Sequence, residues 1–164
     1  MKDTDRLNNK LNYFKGHAKI PSSFISISIS SKEIDLVYRC ISFKRQSIIE
    51  SEIEYLNLNK DYLYVINSIE EDISCMTWCL HVYGSPKSFN LILHLYEYYY
   101  LKKMLISYSN TIFDNDLQLY RYQKIINKFQ VISKSDSVLL DSFLSLSLNE
   151  RINLILNIWD SLLI

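Results

Sequence analysis

The stretch "SFNLILHLYEYYYLKKML", residues 88–105, is the one whose reading decides the fold. Taken with a period of 3.6 it belongs to a single helix. Ser85 and Pro86 supply an N-cap and a first helical residue, where the missing proline N–H costs nothing, and the pattern runs to about residue 108. Phe89, Leu93, Tyr96, Tyr100 and Met104 form one stripe, and Ile92, Leu95, Tyr99 and Ile106 form a second beside it. Only Asn90, His94 and Glu97 make a polar strip. A helix apolar nearly all round belongs at the centre of a bundle.

Tyr96, Tyr98, Tyr99 and Tyr100 crowd five positions of this helix. Base stacking would need a positively charged groove around the rings, and Lys102 and Lys103 are too few to make one. Tyrosine otherwise serves a core or a protein interface, because its ring packs while its hydroxyl stays wet. Tyr96 and Tyr100 share a stripe with Phe89 and Met104 and are expected inside. Tyr98 points beside the polar strip. With Leu101 and Leu105 it is expected to form a small exposed patch, the setting in which tyrosine becomes an interface hot spot.

Working outward, Tyr62, Ile66, Ile69, Ile73, Met76, Leu80 and Tyr83 alternate spacings of four and three, an amphipathic seam that ends at Gly84. Ser30 and Glu33 stand at capping-box spacing and open a helix expected over 31–57. Before it, "FISISIS" at 24–30 alternates strictly and reads as a strand. "FLSLSL" at 143–148 alternates too and could pair with it, but Ser147 and Glu150 form a competing helix start. Leu7, Leu11 and Phe14 predict a short helix over 3–15, stopped by Gly16. A last amphipathic helix is expected over 115–132, with Leu119, Tyr122, Ile126 and Phe129 inward. Arg121, Lys124 and Lys128 would then line up as an outer ridge. Three phosphate contacts give a salt slope of only about −2.7, so the ridge suits an acidic protein partner better than nucleic acid.

Composition narrows the function further. The chain has 164 residues, enough for one domain over 1–164, and a formal net charge of zero. No global field draws it to nucleic acid or an anionic membrane. Its two glycines, two prolines and single alanine, against abundant Ile, Leu, Ser, Asn, Lys and Tyr, reflect AT-rich codons. Three cysteines make no disulfide framework, and no stretch reads as a signal or a membrane span. A cytoplasmic setting, in a bacterium or a host cell, is expected.

Catalytic and metal signals are weak. Cys75 and Cys79 lie one helical turn apart with His81 close by, but a tetrahedral site wants four ligands and no second pair has the spacing. Packing is the plainer use of such thiols. His17, His81 and His94 fit no nucleophile–base arrangement, and no phosphate-cradling glycine loop occurs. We therefore expect no catalytic residue, cofactor or metal.

The expectation is an all-α bundle of six or seven helices, with room for one short strand at 24–30 or a two-stranded element joining it to 143–148. Its expected function is non-catalytic protein–protein binding, as an adaptor or accessory subunit. Tyr98, Leu101, Leu105, Arg121, Lys124 and Lys128 are the candidate contacts, and homo-oligomers are compatible with it. The alternative is a nucleic-acid-associated accessory protein using the Arg121, Lys124 and Lys128 ridge. Size, composition and helix content are similar to those of poxviral Bcl-2-like host-factor binders and of accessory subunits of bacterial secretion systems. The groove signature of cellular Bcl-2 relatives is missing, since neither Gly16 nor Gly84 is followed by Asp.

Overall fold

The structure is a computed structural model that describes residues 23–83, 88–111, 116–129 and 132–158, with backbone alone at 75–83, 88, 89 and 116. The described part is 77% helical, with seven helices and a two-stranded antiparallel sheet. The expected helix at 3–15 lies outside the described residues.

Strand β1, Phe24–Ser30, is the alternating segment. Its partner corrects the reading above. Residues Ser88–His94 are not the first turns of the tyrosine helix but strand β2, paired with β1 from Phe24↔His94 to Ser30↔Ser88. The reason lies in burial. Leu91, Ile92 and Leu93 are all buried, so both faces of β2 are covered. A strand covered on both faces has no alternation to display, and a short apolar run of this kind is indistinguishable from a helix by period alone. The run at 143–148 is no strand: it is split between the end of one helix and the cap of the next.

Helix α1, Ser31–Ile49, starts on the expected capping box. The Glu33 N–H donates to Ser30 Oγ at 3.2 Å, and the Ser30 N–H donates to Glu33 Oε1 at 2.9 Å. The expected single helix to 57 is broken at residues 50–52, and a short α2, Ile53–Leu58, follows. Glu50 and Glu52 place negative charge at the negative end of α1, which has no basic residue in its last turn. Ser51 also donates its hydroxyl to the Ser47 carbonyl, competing with the backbone.

Helix α3, Lys60–Tyr83, carries the seam, and Ile66, Ile69 and Ile73 are buried as expected. Helix α4, Leu95–Thr111, is central: it packs against α1, α3 and both strands, and against α5, Asp116–Ile126, and α6, Lys134–Leu144. Helix α7, Leu148–Asn157, closes on α3 and opens at Ser147, whose Oγ accepts the Glu150 N–H at 3.3 Å. Buried Tyr122 of α5 donates its hydroxyl to the Leu36 carbonyl at 2.8 Å, tying α5 to α1.

The β2–α4 junction is built by His94 and Glu97. The Tyr96 N–H donates to His94 Nδ1 at 3.1 Å, and the His94 N–H donates to Glu97 Oε1 at 3.0 Å. Glu97 is fully buried, and Ser68 Oγ donates to its other oxygen at 2.6 Å. The expected polar strip is therefore an internal cap. Nδ1 must stay unprotonated to accept. Burial pulls the His94 imidazole down from 6.5 to about 4, against an opposing pull from Asp136. Because the folded value lies below the unfolded one, this stability is complete above pH 6.5 and is lost as the pH falls toward 4. At 1.36 kcal/mol per unit the loss is on the order of 3 kcal/mol. His94→Asn, which keeps a side-chain acceptor at the cap, is expected to flatten the fall in urea midpoint between pH 6.5 and 4.5. An unchanged slope would remove His94 as its source.

Candidate functional site

The register of the sheet determines where its edge hydrogen-bonding groups point. The Leu95 N–H donates to the Ser23 carbonyl at 3.0 Å, continuing the pairing of β1 with β2. Ile25, Ile27 and Ile29 are therefore the residues that exchange hydrogen bonds with β2. Ser26, Ser28 and Ser30 turn their N–H and C=O groups the other way. Two of these outward groups are taken: Glu33 accepts the Ser30 N–H, and Lys128 Nζ donates to the Ser28 carbonyl at 2.9 Å. The N–H and C=O of Ser26 and the N–H of Ser28 have no partner among the described residues.

This edge opens into a cleft of about 590 Å³. Residues 25–28 form one wall, Tyr98 lies at its base, and Lys128, Ser133 and Asp136 face the strand. Ser26 and Ser28 are exposed, whereas Ile27 and Ile29 are buried, so the alternation of β1 separates a wet rim from the core. Ser133 caps α6 by accepting the Asp136 N–H at 3.2 Å, which holds Asp136 in the first turn. Lys128 is already neutralised by Glu33, 2.6 Å away. Burial alone would raise the Glu33 carboxyl, but hydrogen bonds from Lys128 and Ser30, with the Lys128 charge, outweigh it and hold it below the usual range. Asp136 makes no salt bridge among the described residues, and it leaves the cleft with a net negative wall.

The six residues singled out in the sequence scatter. Tyr98 is 4% exposed, and Leu101 and Leu105 are 0% exposed, so the expected surface patch does not exist. Its premise was a wet strip at His94 and Glu97, and Glu97 is itself interior. The division among the tyrosines also shifts, because Tyr96 is only partly buried, stacked on Phe143 at 3.9 Å. The basic ridge fails as well. Helix α5 ends at Ile126, and the Lys128 N–H bonds to the Ile125 carbonyl at 2.9 Å in a tightened turn. Lys128 is engaged by Glu33 and the Ser28 carbonyl, whereas Arg121 and Lys124 remain exposed. Of the six, Tyr98 and Lys128 meet at the cleft. Sequence reasoning missed Ser26, Ser28 and Asp136. Serines recurring on one side of "FISISIS" were the available sign of a wet rim.

Cys40 lies in the core, and burial pushes its thiol up to about 12, which leaves it protonated and unreactive. The side chains of Cys75, Cys79 and His81, and all of His17, lie outside the described residues. Among the described residues no group of three or more His, Cys, Asp or Glu could hold a metal ion, and no helix is long and apolar enough to cross a membrane. No protein family matches the chain, no curated protein is similar to it, and no solved structure matches its fold.

Proposed function

We propose that the protein is a non-catalytic binding module that takes an extended segment of a partner protein along the free edge of β1. The observation that carries this reading is the set of backbone groups of Ser26 and Ser28 that are unpaired among the described residues and turned outward into an open cleft. Strand addition uses such groups for affinity and side-chain positions for specificity. A partner residue opposite Ser26 would exchange two hydrogen bonds with it, and the carbonyl two positions along the partner would accept the Ser28 N–H. Lys128 holds the Ser28 carbonyl and limits pairing at that end, a lysine guard of the kind that protects exposed edges. Asp136, without a cation of its own among the described residues, favours a lysine or arginine on the incoming segment. Such a module suits an adaptor or accessory subunit of a larger assembly. The nucleic-acid alternative loses its main support with the ridge.

Proline supplies the test. It is tolerated on an edge strand where its missing N–H faces away from the ladder, and the Ser26 N–H does so. Heptapeptides selected from a random display library on the full chain are expected to carry a basic residue and to slow hydrogen exchange at the Ser26 and Ser28 amides. Ser26→Pro is expected to abolish their binding with little change in melting temperature, and Asp136→Lys is expected to weaken it by roughly tenfold, about 1.4 kcal/mol. Ile27→Pro, which removes a ladder hydrogen bond, should unfold the sheet. Selected peptides that bind Ser26→Pro as well as the unmodified protein would overturn the proposal.

A further inference from the structure

Helices α1, α2, α3 and α4 line a second cleft, of about 290 Å³, that shares no residue with the β1 groove. Lys44 of α1 and Lys103 of α4 stand in its wall. The Lys44 Nζ lies 4.7 Å from the centre of the Tyr62 ring and 3.5 Å from the Tyr55 hydroxyl. The Lys103 Nζ lies 5.2 Å from the centre of the Tyr99 ring. These cation–π contacts fix where the amines rest, at about 0.5–1 kcal/mol each for exposed pairs, but they do not neutralise charge.

Both amines of this pair stand in the wall of one concavity without a carboxylate partner among the described residues. Arg45, Lys128 and Arg151 each reach a carboxylate. Neither Lys44 nor Lys103 does so among the described residues, and no carboxylate lines the cleft. In a chain of zero net charge, two positive charges therefore share one concavity, with Asp61 acting on Lys103 from outside its lining. Hydroxyls of Tyr55, Tyr62, Ser47 and Ser107 surround them. Burial holds the Tyr62 phenol above its usual range, so its O–H remains a donor. Every polar side-chain group facing the space is thus able to donate to an anion. Phe43 and Tyr108, whose ring centres are 5.0 Å apart, add flat apolar surface. The volume lies just under the roughly 300–1,000 Å³ of small-molecule sites, which suits a small ligand.

We propose that this cleft binds the phosphate group of an aryl phosphomonoester, with Lys44 and Lys103 on the phosphate oxygens and the tyrosine rings against the aryl group. Two lysines match the charge of about −2 carried by such a phosphate at neutral pH, and charge-assisted contacts to phosphate are the strong class of hydrogen bond. The proposal is independent of strand addition at β1. A free small molecule and a phosphotyrosine side chain present the same chemistry.

Chemical-shift titration of the full chain separates these possibilities. Phenyl phosphate is expected to give saturable shifts at α1 and α4 and to bind at least about tenfold more tightly than inorganic phosphate or phenol. Lys44→Gln and Lys103→Gln are each expected to weaken it by about tenfold or more. Their melting temperatures should hold, because neither lysine makes a salt bridge among the described residues, and Lys102→Gln should bind normally. A short glycine-rich peptide centred on phosphotyrosine that binds as tightly would assign the source to a protein, and one that fails beside phenyl phosphate would assign it to a small molecule. No saturation with phenyl phosphate, equal binding by the two lysine variants, or shifts centred on Arg121 and Lys124 would each overturn the proposal.

Discussion

Tyr98→Ala is expected to destabilise the protein by about 3 to 5 kcal/mol, the range for emptying a large aromatic side chain from a core. In a chain of this size that corresponds to a fall of roughly 6 to 20 °C in melting temperature. Tyr98 is 4% exposed, and its ring centre lies 4.9 Å from that of Phe129. Helix α4 packs against four helices and both strands, so the vacated space has little freedom to collapse. Tyr96→Ala should cost less, since that ring is only partly buried even though it stacks on Phe143. Thermal melts of both variants decide the order. If Tyr98→Ala melted with the unmodified protein, the ring would have to stand in solvent and the packing around α4 would be wrong.

The same helix shows what was legible in the sequence and what was not. Period and capping carried the local elements: the Ser30–Glu33 box, the Ile66–Ile69–Ile73 seam and the Ser147 start all stand where the residues put them. They did so because each depends on neighbours three or four positions away. Long-range environment left no such trace. "NLILH" reads as helix or strand until β1 is known to lie beside it, and Glu97 reads as surface until Ser68 is found against it. The misplaced helix start then carried a false polar strip onto Tyr98. Lys128 failed for a related reason, since its partners, the Ser28 carbonyl and Glu33, lie 100 and 95 positions away in the chain. The cleft edge was half legible: alternation revealed a wet side of β1, but which backbone groups stay unpaired depends on register with β2.

Asp61→Ala should produce a loss of similar size, about 3 kcal/mol, the lower end of the range for breaking a buried ion pair. Asp61 sits in the first turn of α3, where the helix N-terminus favours its charge. It is 3% exposed. Tyr100 of α4 donates its hydroxyl to Asp61 Oδ2 at 2.6 Å, and Arg151 of α7 places Nη1 3.6 Å from the same oxygen. One carboxylate thereby joins three helices. Burial, with the hydrogen bond to Asp61 and its charge, drives the Tyr100 phenol far above its usual range, so it remains a donor throughout the stable pH range. Alanine at 61 strands a buried hydroxyl and a guanidinium whose Nε already lacks a partner among the described residues. Arg151 keeps partial access to water, which sets the expected loss at the lower end. Tyr100→Phe removes only the hydrogen bond to a charged group and should cost about 1.5 to 3 kcal/mol. Because the two residues share one interaction, their double variant should lose clearly less than the sum of the singles. Urea denaturation of the three proteins measures that difference, and strict additivity would show that Tyr100 and Asp61 do not hold each other in the folded protein.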